Sequence, residues 1–263
     1  MSSLETSRAV DVQVRSRGRV PRGADVYARE KVLAALDHVG EPVLDAQVKL
    51  TQAVSGSAAR PAAARAVVDV NGRLVRAHVA ASTMFEAVDL LRERLTARLA
   101  RVRRHGPRGL PGTGREARWD SAGHDHRPHR QHLPVEERRI VRYKSFGQAR
   151  QTPEDAVIDL EAMDYDFWVF VDLASGCDSV VYRDVPTGRH RLASLGPVTQ
   201  EPEFEGLLGV STVPVPAMTV PEAVQRLNLA GLPFVFFDDT ATGRGSVLYH
   251  RYDGHYGLIA PAR

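Results

Sequence analysis

The residues best suited to chemistry are arginines. In TMFEAVDLLRERLTARLARVRRH, Arg94, Arg98 and Arg101 follow i, i+4, i+7 spacing, which on a helix puts them on one face. Arg103 and Arg104 follow, and the run holds no acid after Glu93. Guanidiniums stay charged and donate in a fork that matches phosphate oxygens, so such a ridge suits a phosphate backbone. Cations also suit the C-terminal end of a helix dipole, so a solvated outer face would carry the same spacing. Arg15, Arg17, Lys49, Arg76 and His78 alternate with apolar residues in strand-like stretches, and Arg22, Arg29 and Lys31 lie in or beside a helical stretch. With the ridge they predict one continuous basic surface. No stacking pair of aromatics and no glycine-rich phosphate loop accompanies them. Recognition by backbone and shape, as in structured RNA, is therefore expected over base reading.

Catalytic chemistry finds no comparable set. The chain has no P-loop, no G-x-S-x-G elbow, no H-E-x-x-H and no dinucleotide fingerprint. Asp238-Asp239 and Glu154-Asp155 are acidic pairs at a strand end and in a helix first turn, where acids are common for structural reasons. Cys177 is the sole cysteine, which excludes an intramolecular disulfide and a cysteine-based zinc site. His124, His126, His129 and His132 crowd a Gly- and Pro-rich tract in which nothing orders ligands around a metal. No enzyme, metal, cofactor or small-molecule substrate is expected. No apolar run approaches the roughly 20 residues of a membrane span, and the start MSSLETSRAVDVQV lacks a secretory signal pattern. A soluble cytoplasmic protein is the expectation.

Charge is divided along the chain. Residues 1–105 hold 18 basic and 11 acidic residues, whereas residues 139–263 hold 11 and 16. Codon bias would raise Arg everywhere, so a basic front and an acidic back point to a polyanionic partner for the front. Between them, 106–138 lacks apolar periodicity and predicts a flexible linker.

The basic part predicts β-α-β-β-β-α. Val10, Val12 and Val14 alternate with polar residues, as do Leu44, Ala46, Val48 and Leu50, and Asn71-Gly72 marks a hairpin turn. The first helix would bury Val26, Leu33, Leu36 and Val39, and the last Phe85, Val88, Leu91, Leu95, Leu99 and Val102. The acidic part is a tandem repeat at an offset of 67, with DFWVFVDLASGCDSVVYR matching PFVFFDDTATGRGSVLYH. Each copy (139–195 and 196–263) predicts a capped helix and a strand hairpin. Strands apolar on both faces need a second covering layer. Phe167, Val169, Val180 and Tyr182 are thus expected to meet Phe234, Phe236, Val247 and Tyr249 in an intramolecular pseudo-twofold sandwich. The fold class is α+β throughout.

Two stretches carry a family resemblance. DVYAREKVLAAL and TMFEAVDLLRERLTARLARVRRH within the β-α-β-β-β-α order look like the N-terminal domain of ribosome hibernation-promoting factors. AMTVPEAVQRLNLAGLPFVFF with SVLYHRYDGHYGLIAP resembles the C-terminal domain of that family's long form, here duplicated as in its actinobacterial, dormancy-associated type. The resemblance implies a ribosome partner, through small-subunit rRNA and proteins in the mRNA channel across the tRNA sites, with translation inhibited under stress. It also implies that a single C-terminal domain dimerises and joins two ribosomes. A chain supplying both halves is expected to stay a monomer on single ribosomes, because its own second copy is at high effective concentration. Ribosome dimerisation through an outer edge, and general nucleic-acid or transcription-associated binding, are the competing readings.

Overall fold

The computed structural model describes residues 10–37, 39–53, 60–104, 133–147, 150–184, 187–198 and 208–262, with the side chains of 102–104 left out. The predicted linker falls almost wholly outside the described residues, as do its four histidines. The chain divides into two compact units, residues 1–128 with 162–164, and residues 129–161 with 165–263.

In the first unit β1 (Val12–Arg17), β2 (Val43–Gln52), β3 (Ala62–Val70) and β4 (Arg73–Ala81) form one sheet in sequence order. β1 runs parallel to β2, across the helix α1 (Ala24–Leu36), and the other pairs are antiparallel. α2 (Met84–Arg104) follows β4. The hairpin β3–β4 turns on Asn71 and Gly72, whose φ of 51° and 87° give the two left-handed residues that a two-residue hairpin loop needs. Ser82, Thr83 and Glu86 close the start of α2, with Glu86 N–H donating to Thr83 Oγ1 and the Glu86 carboxylate accepting from Ser82.

Both helices cover one face of the sheet. Val12, Ala46, Val48, Leu50, Ala64, Ala66, Val68, Val75, Ala77 and Val79 are buried there against Val32, Val88, Leu91 and Leu95. Three expected core residues lie outside it. α1 buries Ala24, Ala28, Val32, Ala35 and Leu36, a small-residue stripe that lets the helix approach closely, so Val26 faces out at 56% exposure. Leu44 is exposed because the β2–β3 register shifts between Val43 and Asp45. Phe85 is also exposed and meets Tyr27 edge-on at 5.3 Å, while Met84 and Ala87 take the inner positions.

The second unit holds two five-stranded sheets. α3 (Pro153–Ala162) starts at Thr152, whose Oγ1 accepts from Asp155 N–H. α4 (Val220–Leu229) starts at Thr219 with a full capping box to Glu222. One sheet contains β6 (Arg150–Gln151), β7 (Phe167–Asp172), β8 (Asp178–Asp184) and β9 (Arg189–Ser194). The other contains β11 (Ala217–Met218), β12 (Phe234–Asp239), β13 (Arg244–His250) and β14 (Tyr256–Pro261).

The fifth strand of each sheet comes from the opposite repeat. β10 (Leu208–Val210), which opens the second repeat, pairs with β9 of the first. β5 (Ile140–Phe146), which opens the first repeat, pairs with β14 of the second. Phe170, Val181 and Leu192 pack under α3, and Val235, Phe237, Leu248 and Leu258 under α4. The remaining faces of the two sheets meet each other.

Candidate functional site

The face of the first unit's sheet opposite its helices carries cations in a transverse row. Register places Arg15 of β1 beside Lys49 of β2, Lys49 beside Arg65 of β3, and Arg65 beside His78 of β4. Neighbouring strands lie about 4.8 Å apart, so the row spans about 14 Å. Arg15, Lys49 and Arg65 are exposed and His78 is half-buried. Arg17 lies two residues along β1 from Arg15, and Arg76 two residues along β4 from His78. Like charges placed directly across strands are destabilising. A row of this kind matches the spaced negative charges of a polyanion.

Arg65 was not among the residues singled out from the sequence. In AARPAAARAVVDV it stands in an alanine-rich stretch whose alternation is weak. The signal that finds it is register: counting out from Asn71-Gly72, Arg65 and His78 are each six places from their end of the hairpin loop.

The other predicted cations lie off this face. Arg22 and Arg29 are exposed, with Arg29 3.5 Å from Asp11. Lys31 joins α1 to α2: its ammonium is 2.8 Å from Asp89 and 4.9 Å from the Tyr27 ring, and Tyr27 donates to Asp89 at 2.9 Å. Asp89 and Tyr27 hold the Lys31 ammonium above the ordinary lysine range, and Lys31 holds the Asp89 carboxyl below its own. Within the first unit, which includes residues 162–164, Arg94 and Arg98 donate to Asp164 Oδ1 at 3.0 and 2.6 Å, and Arg98 is buried. Arg101 is half-buried, and the side chains of Arg103 and Arg104 are outside the described residues. The predicted single surface is therefore divided between the open sheet face and the helix layer.

The second unit brings its two repeats together through their free sheet faces. Val180, Phe236 and Val247 are buried between the sheets, with Phe167, Val169, Tyr182 and Phe234 packed against them. Phe167 and Phe234, counterparts at the 67-residue offset, have ring centroids 4.7 Å apart. Phe167 meets Tyr249 at 5.7 Å and Tyr182 meets Phe234 at 5.6 Å, two contacts that exchange under a twofold rotation. At one end Arg244 grips Asp178 with both arms, Nε–Oδ2 2.7 Å and Nη2–Oδ1 2.9 Å, and Gly245 N–H donates to the same carboxylate at 2.8 Å.

The residues considered for catalysis hold structural positions. Asp239 Oδ1 accepts from Ala241 N–H in the β12–β13 turn, and the Asp155 carboxylate accepts from the Thr152 hydroxyl that caps α3. Cys177 Sγ sits where a side chain on Gly196 would fall. Buried His190 is 3.0 Å from Glu161, which also binds Arg183; in the second repeat Tyr256 donates to Asn228 at the corresponding place. Among the described residues no three metal-ligating side chains converge, and no helix is long and apolar enough to cross a membrane.

Comparison with known proteins points to ribosome-associated relatives. The model of the sigma 54 modulation/S30EA ribosomal protein C terminus matches twice, at residues 135–188 and 208–258, one match per repeat. A ribosome hibernation promotion factor of Deinococcus radiodurans is 31% identical over 173 residues, covering 60% of this chain and 84% of that protein. A dormancy associated translation inhibitor of Mycobacterium tuberculosis is 38% identical over 159 residues, 55% of this chain. That match spans 56% of the mycobacterial protein, so the chain covers little more than half the length of this relative. Among solved structures, the N-terminal domain of Thermus thermophilus Protein Y is 20% identical with a TM-score of 0.29, covering 35% of this chain and 97% of that one.

Proposed function

The chain belongs to the ribosome hibernation promotion factor family, and from that premise we propose that it is a non-enzymatic, cytoplasmic translation inhibitor that plugs the mRNA channel of the small ribosomal subunit. The observation that carries the reading is the row Arg15, Lys49, Arg65 and His78, which crosses all four strands of the first unit. A rigid cationic face of that kind tracks the phosphates of folded rRNA without reading bases. Occupying the tRNA and mRNA path blocks translation by exclusion, so no catalytic group is called for.

The acidic second unit supports a single-ribosome mode. Its apolar sheet faces already cover each other within one chain, and each repeat lends the other its first strand. A second chain would have to displace a partner tethered at high effective concentration. One observation favours ribosome pairing instead. β5 pairs on one side with β14, ends its sheet's strand order, and shows exposed Val141 and Tyr143 along its seven residues. Such an edge is a template for a further strand.

Gradient sedimentation of ribosomes with the purified chain at physiological salt decides between them. A single-ribosome peak carrying one copy of the chain supports the proposal. A factor-dependent peak of ribosome dimers refutes the single-ribosome mode. Equal affinity for naked duplex DNA would refute ribosome specificity.

A further inference from the structure

The two repeats differ where they touch on the pseudo-twofold axis, and the differences are complementary. Asp178 and Gly245 are counterparts at the 67-residue offset. A Cβ added to Gly245 would lie 2.6 Å from the Cβ of Asp178 and 2.9 Å from the Phe236 ring. The backbone of Gly245 lies outside the left-handed region, so space and not conformation requires glycine there. Only one of the two counterparts has room for a side chain. The preceding counterparts complete the pattern: Arg244 in the second repeat neutralises Asp178, where the first repeat has Cys177. The Asp178 side chain is 3% exposed, so its carboxylate depends on that pairing.

The exchanged strands repeat the logic with the opposite sign. On one sheet Arg142 of β5 lies beside Gly257 of β14. On the other Gly209 of β10 lies beside Arg191 of β9. Each sheet thus holds one arginine and one glycine at this position. Two first repeats assembled in the same geometry would set Asp178 against Asp178 and Arg142 beside Arg191. Two second repeats would face Gly245 with Gly245, and each Arg244 would lose its carboxylate.

We infer that the repeat faces are heterospecific: the first repeat accepts only a partner carrying Arg-Gly at this turn and Gly in its exchanged strand, which here is the second repeat, and rejects its own kind. This deepens the intramolecular pairing proposed above and rests on it. The chain is thereby barred from joining another copy through like repeats, whatever its concentration.

Dipeptide exchange in the full chain tests this by thermal unfolding of the purified protein. Arg244→Cys/Gly245→Asp gives both repeats Cys-Asp and is expected to lower the Tm of the C-terminal unit by on the order of 10 °C, since two carboxylates then compete for one buried place. Adding Cys177→Arg/Asp178→Gly together with Val169→Phe/Phe236→Val exchanges the dipeptides and moves the ring that crowds Gly245 to the other repeat, and is expected to recover most of that loss. A full exchange no more stable than the double variant overturns the inference, as does a double variant as stable as the parent. Neither readout involves ribosomes, so ribosome dimers in a gradient would refute the single-ribosome mode without touching this result.

Discussion

Replacing Arg15, Lys49 and Arg65 together by alanine should separate binding from folding. All three are exposed on the open sheet face, and each lies directly opposite at least one other cation in the row. Losing three phosphate contacts lowers the slope of log K against log salt by about 2 to 3, from roughly 0.7–0.9 per contact. Referred to 1 M salt, that slope is worth about 100- to 500-fold in affinity at 0.1 M. The fold should tolerate the change, because the three side chains are exposed and like charges directly opposite one another across strands are destabilising. The variant is therefore expected to bind small subunits far more weakly while unfolding at the same Tm or slightly above. Equilibrium binding to small subunits across a KCl series, with parallel thermal melts, reads both quantities. A folded variant with unchanged affinity and slope would refute the sheet face as the contact surface. A variant that loses binding because it unfolds would refute the repulsion argument.

Other perturbations have definite outcomes. Phe236→Ala, at 8% exposure between the two sheets, should cost about 3–5 kcal/mol in urea unfolding of the C-terminal unit. Gly257→Ala should destabilise as well, since its Cβ would come 2.4 Å from the Tyr249 ring; a melt equal to the parent's would mean that Tyr249 moves aside freely. Backbone and then side-chain hydrogen bonds from Thr219 hold the Glu222 carboxyl below the ordinary glutamate range, and Ser82 first does so for Glu86. A depressed carboxyl stabilises the fold above its unfolded pKa and loses that contribution as pH falls through the folded value. Melts of the parent and of Glu222→Gln should therefore differ at neutral pH and converge in acid.

Much of this protein is legible from one chain read in one dimension. Alternation along the strands, Asn71-Gly72 and the Thr219 to Glu222 cap are local signals, and each produces the element it announces. The 67-residue repeat and the two-faced strands DFWVFVD and PFVFFDD also require a second layer, because a strand apolar on both sides has no stable place on a surface. Three things depended on tertiary structure, since pairing partners far apart in sequence decide them. Register placed Arg65 in line with Arg15, Lys49 and His78, although its own surroundings are weakly patterned. Asp164, 66 residues further along the chain, takes Arg98 into a buried ion pair, while spacing alone would have set it in solvent with Arg94 and Arg101. The exchange of β5 and β10 follows from neither strand's composition: an edge strand goes to the sheet whose open side it reaches, and only the assembled pair of repeats creates those two sides.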